Sequence, residues 1–153
     1  MATTLETRNR TVRELLNGTY TTLKSIVPLQ HDMMKPQILG NTLQVEFGVL
    51  IGITGDVRGQ LILAGEQYIF SAIGESMFGM PVEEEMLVSF SGELGNMLAG
   101  GLSTNIVQNG IKTDITSPTI MQGSTTLSGY ERAIHMRAVF EAKGVLNIYL
   151  LLD

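Results

Sequence analysis

Between Leu43 and Ile53 the apolar residues Leu43, Val45, Phe47, Val49, Ile51 and Ile53 fall at every second position. That is the period of a β-strand with one buried face. Gly55-Asp56 then offers a turn into the apolar run Val57 to Ala64, so the segment predicts a long hairpin. Around it the period changes to that of a helix. From about Thr3 to Val27, Val12, Leu15, Leu16, Thr19, Leu23, Ile26 and Val27 recur at helical spacing, with Thr3 and Glu6 as a capping box and Pro28 after the end. A second helix is expected over Glu66 to Gly79, with Ile69, Ala72, Ile73, Ser76 and Met77 on one face and Gly79 as its left-handed cap. The longest should run from about Glu83 to Asn109, its opening glutamates suiting the positive end of the helix dipole and Asn109-Gly110 ending it.

Strand-like runs follow at Ile115 to Gln122, Glu131 to Glu141 and Val145 to Leu152, with Lys143-Gly144 as a turn between the last two. The order helix, hairpin, two helices, three strands implies an α/β two-layer sandwich, a mostly antiparallel sheet packed against helices. At 153 residues, one domain spanning 1–153 is the expectation. Both halves pair a helix with hairpin-like strands, which hints at an old internal duplication, although no sequence repeat is visible.

Composition removes several function classes. A net charge of −5 leaves no basic footprint for DNA or RNA, and the absence of cysteine removes thiolate nucleophiles, disulfides and cysteine-based zinc sites. Only His31 and His135 remain as imidazole ligands, and both read as structural, so no metal site is expected. No run approaches the ~18 apolar residues of a membrane span. The amino terminus MATTLETRNR lacks a signal-peptide pattern, so a cytoplasmic protein without membrane association is expected. No glycine-rich phosphate loop follows a strand, and no serine, histidine and aspartate can be argued into a triad.

The chemically informative stretch is Ser89-Phe90-Ser91-Gly92-Glu93-Leu94-Gly95-Asn96-Met97-Leu98-Ala99-Gly100, inside the long helix. At 100° per residue Ser89, Glu93, Asn96, Gly100 and Ser103 share one face, while Phe90, Leu94, Leu98 and Leu102 occupy another. Glu93 and Asn96 therefore project side by side, one turn apart. Gly92, Gly100 and Ser103 flank them with almost no side chain, although each interior glycine costs roughly 1 kcal/mol relative to alanine. Close approach of another protein surface is one reason to accept that cost. The plain alternative is an ordinary solvated face, with Gly95 and Ala99, which point elsewhere, serving helix–sheet packing.

The stretch resembles the signature of the CheC, CheX and FliY phosphatase family: Ser or Asp, three residues, Glu, two residues, Asn, and a proline some twenty residues later. Ser89, Glu93, Asn96 and Pro118 occupy those positions. The single motif copy, the chain length and the helix before the Leu43 hairpin resemble CheX more than CheC, which carries two copies. Glu14-Leu15-Leu16-Asn17 repeats the Glu-x-x-Asn spacing but lacks the preceding Ser or Asp and the glycines, and reads as chance.

The resemblance implies a phosphatase acting on the phospho-aspartate of a CheY-type response regulator. Asn96 would orient the attacking water, Glu93 would engage a lysine of the regulator, and Ser89, Gly92, Gly100 and Ser103 would border the contact. No cofactor of its own is implied, the Mg2+ ion being carried by the regulator. The dimeric habit of CheX relatives, with long apolar strands such as Leu43 to Ile53 in a sheet too short to close on itself, implies a homodimer through an open edge. A non-enzymatic chemotaxis or flagellar-switch adaptor is the alternative, against which stands the presence of both Glu93 and Asn96. A small-molecule-binding module lacks a convergent polar pocket in the sequence.

Overall fold

The computed structural model describes residues 4–141 and 143–153, so the Thr3 half of the expected capping box lies outside the described residues. These residues form three helices, α1 (Thr4–Ile26), α2 (Gln67–Phe78) and α3 (Glu84–Val107). They also form eight strands: β1 (Asp32–Met33), β2 (Gln37–Leu39), β3 (Leu43–Gly55), β4 (Gly59–Ala64), β5 (Thr113–Ile115), β6 (Thr119–Leu127), β7 (Arg132–Phe140) and β8 (Gly144–Leu152). All strand pairs are antiparallel. The alternation from Leu43 does make a long strand, and Gly79, at φ 74°, caps α2 in the left-handed region as expected.

The strands differ from the sequence pattern in two places. The expected strand Ile115 to Gln122 is two strands, broken at Thr116-Ser117-Pro118, because proline cannot donate a ladder hydrogen bond. The segment between Pro28 and Leu43 holds the short β1 and β2, too brief to show a period and formed only because both pair with β7.

The sheet order is β1-β7-β8-β4-β3-β5, with β2 also on β7 and β6 also on β3. The two hairpins β3–β4 and β7–β8 thus meet at the β4–β8 pair in the middle. In each half a long helix precedes two strands and then a hairpin, and each half's first two strands pair with the other half's hairpin. This exchange gives the suspected duplication a structural form. The long strand β3 is itself not an open edge: β4 covers one side, and β5 and β6 cover the other.

The helices pack on one sheet face over a core that includes Leu15, Leu23, Phe70, Ile73, Leu94, Leu98, Met136 and Ile148. Where α1 crosses α3, a β-carbon on Gly18 would stand 2.6 Å from Leu102 Cδ1, and one on Gly101 would collide with Thr22. The missing side chains set the helix separation.

The opposite face carries a second cluster, including Val45, Ile62, Tyr149 and Leu151, with no helix over it. Chain length explains its burial. β2 and β3 lie four strand spacings apart, about 19 Å on a flat sheet. The connection from Leu39 to Leu43 spans at most about 14 Å, so the sheet must curl toward this face. The Tyr130 hydroxyl donates to the Gly40 carbonyl at 2.9 Å, tying the β6–β7 connection to the β2–β3 connection. Among the described residues no helix is long and apolar enough to cross a membrane.

Candidate functional site

α3 owes its orientation to a strict apolar stripe: Phe90, Leu94, Leu98, Leu102 and Ile106, four residues apart, are all buried. Glu84 and Glu85 sit in its first turn, where carboxylates are favoured by the helix dipole. Next to the stripe, Gly95 meets the sheet: a β-carbon there would lie 2.8 Å from Val49 Cγ1 and 3.1 Å from Ile51 Cδ1. Ala99 is buried beside it. With that side committed to the core, the opposite side is left to solvent.

On the solvent side Ser89 and Glu93 are exposed, and Asn96 and Gly100 are half-buried. Glu93 and Asn96 differ by three residues, hence about 4.5 Å along the axis and 60° around it. The carboxylate and the carboxamide thus stand together on a ridge. Among the described residues Glu93 forms no ion pair, leaving its charge available to an incoming cation. A β-carbon on Gly100 would touch only Ile115 Cδ1, at 4.0 Å, so the ridge beside Asn96 is low.

Two of the expected flanking residues turn out to serve the fold. Gly92 is buried, not open: a β-carbon there would be 3.5 Å from Ile120 Cδ1 and 3.7 Å from Pro118 Cγ. Ser103 is tied to β5, donating to the Thr113 carbonyl at 3.0 Å and lying 2.7 Å from the Thr113 hydroxyl. A hydroxyl has one proton, so the Thr113 hydroxyl must be the donor of the second bond. Both serine and threonine are then engaged, and Ser103 positions β5 against α3.

The sequence pattern did not reveal the role of Thr116. Its amide donates to the Gly52 carbonyl at 3.0 Å and its hydroxyl accepts from the Gly52 amide at 2.8 Å. These bonds hold the break between β5 and β6 against β3, and so bring Pro118 beside Gly92, one residue from Glu93. The only signal in the sequence was the Thr-Ser-Pro interruption of a strand pattern.

The remaining candidates lie apart from the ridge. The Glu14 carboxylate accepts from the Asn109 carboxamide, and Arg10 donates to the Asn109 carbonyl at 2.6 Å, so Glu14 fastens α1 to the end of α3. His31 donates from Nδ1 to the Leu29 carbonyl at 2.9 Å and packs on Phe140. His135 bonds Asn147 at 2.8 Å and stacks on Tyr149, whose phenol is pushed above its ordinary range by burial. Among the described residues no three histidine, aspartate or glutamate side chains cluster as a metal site would require.

Two surface depressions also lie elsewhere. One is rimmed by Arg8, Arg58 and Arg132 among others, and one by Gln44, Tyr68 and Tyr149 among others. Neither touches α3. An exposed ridge suits a reacting group presented by another macromolecule better than a small ligand, which needs a concave site.

Comparison with known proteins gives a consistent result. A protein-family model described as "Chemotaxis phosphatase CheX" matches residues 47–136, which contain the whole ridge and Pro118. The CheY-P phosphatase CheX of Thermotoga maritima is 30% identical over 118 residues, covering 74% of this chain and 76% of that protein. Among solved structures, the CheX–CheY–BeF3–Mg2+ complex of Borrelia burgdorferi superposes with a TM-score of 0.77 at 18% identity, covering 93% of this chain and 97% of that one. Chemotaxis protein CheX of Vibrio vulnificus gives 0.75 at 23% identity, covering 93% and 98%.

Proposed function

The chain belongs to the CheX family of chemotaxis phosphatases, and from that premise we propose that it hydrolyses the phospho-aspartate of a CheY-type response regulator, with Asn96 orienting the attacking water and Glu93 engaging the regulator. The observation that carries this reading is the Glu93–Asn96 pair on an exposed ridge of α3, beside the low surface at Gly100.

An acyl phosphate is already activated, so the enzyme's task is positioning and no nucleophilic side chain is needed. The Asn96 carbonyl accepts a hydrogen bond from water while its NH2 group donates to a phosphoryl oxygen. The water oxygen attacks phosphorus, the bond from phosphorus to the aspartyl oxygen breaks, and the aspartate leaves as a carboxylate. Inorganic phosphate carries away the proton that water gives up. Glu93 contributes a fixed negative charge to hold a cation of the regulator, which sets the angle at which the phosphoryl group meets Asn96. A Mg2+ ion held by the regulator would offset the phosphoryl charge.

Ser89, one turn before Glu93, borders the contact and plays no part in the chemistry. The protein is proposed to work in the cytoplasm, where response regulators reside, and as a homodimer. Purified protein mixed with a phosphorylated CheY-type regulator should accelerate loss of the phosphoryl group and release phosphate. Binding without any acceleration would instead support the adaptor reading.

A further inference from the structure

Phe78, Met80 and Met86 are 60%, 64% and 60% exposed, a costly condition for large apolar side chains. They are gathered in one place. Gly79 turns the chain at the end of α2, and Val82 folds back over Gly74, where any side chain would collide with it. The connection from α2 to α3 is thereby fixed with Met80 outside. The Phe78 ring stands edge-on to Phe90 at 5.5 Å, and Phe90 lies one turn along α3 from Met86.

Met86 is seven residues before Glu93, two helical turns, hence on the same face and about 10 Å away along the axis. A protein surface of ordinary interface size lowered onto Glu93 and Asn96 extends far enough to cover Met86. The exposed Glu75, Glu83, Glu84 and Glu85 flank these apolar residues in the sequence, each within three or four positions of one of them.

We infer that Phe78, Met80 and Met86 form an apolar docking surface, continuous with the Glu93–Asn96 ridge, that binds the response regulator and supplies much of its affinity. The inference rests on the proposed phosphatase reading. Charge selects the occupant. In a symmetric contact with a second copy, the four carboxylates would face their own kind across the rim, whereas a partner apolar at its centre and basic at its border is complementary. The fitting surface on the regulator is therefore an apolar patch edged by lysine or arginine, next to its phosphorylated aspartate.

The test uses the intact protein and a CheY-type regulator loaded with beryllofluoride and Mg2+. Met80→Ser with Met86→Ser leaves the Phe78–Phe90 contact in place and should weaken binding by about tenfold or more. Turnover of the phosphorylated regulator at saturation and the melting temperature should not change. Phe78→Ser should weaken binding in the same direction. An unchanged affinity in both variants overturns the inference, as does reduced turnover at saturation with affinity intact. Loss of self-association with regulator affinity intact assigns the patch to a second copy and also overturns it. If the wild-type protein neither binds nor dephosphorylates the regulator, the phosphatase reading falls first and the docking surface with it, an outcome distinct from a defect confined to the variants.

Discussion

Asn96 and Glu93 sit three residues apart and do different work, so their replacement should separate turnover from affinity. Asn96→Ala removes both the acceptor for water and the donor to phosphate while leaving the interface area almost whole. Its single-turnover rate should fall about 100-fold or more, with little change in affinity for the beryllofluoride-loaded regulator. Asn96→Asp keeps the size but loses the NH2 donor and places a negative charge against phosphoryl oxygens, so it should be nearly as slow. Glu93→Ala should instead weaken binding by about tenfold, the order expected of one charge-assisted contact, with a smaller loss of rate at saturation. Rate and affinity measured separately for the three variants check the division of labour, and ordinary turnover by saturated Asn96→Ala would refute it. The face carrying these two residues could be read from 100° steps along the chain. What the wheel could not show is that Ser103 is occupied by Thr113 and that Gly92 is covered by Pro118, since one partner arrives from β5 and the other from the break between β5 and β6, both of which follow the helix.

The glycines of α3 are alike in sequence and opposite in consequence. Gly95 touches Val49 and Ile51, so Gly95→Ala sets a helix-propensity gain of up to ~1 kcal/mol against an overpacking cost of about 1–3 kcal/mol. The net should be a lowered melting temperature. Gly100 meets nothing closer than 4.0 Å, so Gly100→Ala should gain up to ~1 kcal/mol of helix stability and melt higher. Thermal melts of the pair should move in opposite directions, and parallel shifts would show that the helix is rotated from the position described. Gly100→Leu should also remain folded, but place its side chain where the regulator must approach Asn96 and so abolish dephosphorylation. An unfolded Gly100→Leu would mean that this position faces the core. Helix α3 was legible because its apolar period recurs without a break from Phe90 to Ile106. The β5–β6 break was harder to read, because a three-residue interruption held by Thr116 and Gly52 resembles a continuous strand until its partner is known.

At the scale of the whole molecule, β3 offers no edge for self-association, and the edges left are β5 with β6 on one side and β1 with β2 on the other. β6 carries an irregularity opposite Val45 and Phe47, and β1 and β2 are very short, features that blunt an edge. A homodimer is therefore expected to use the regular part of β6, Thr119 to Gln122, or the curled face. Light scattering should report twice the 16.7 kDa chain mass at micromolar concentration; a mass of one chain would remove dimerisation from the proposal. The sequence by itself determined the layered class, the three helices, the two long hairpins and the face of α3 that bears Glu93 and Asn96, because each depends on a period repeated along one continuous segment. Only the tertiary structure decided which flanking residues stay open, how the β5–β6 break lodges Pro118 beside the motif, and how the sheet curls over Ile62 and Leu151. Those outcomes depend on segments distant in sequence, and on whether a short connection can reach across four strand spacings, which no local pattern encodes.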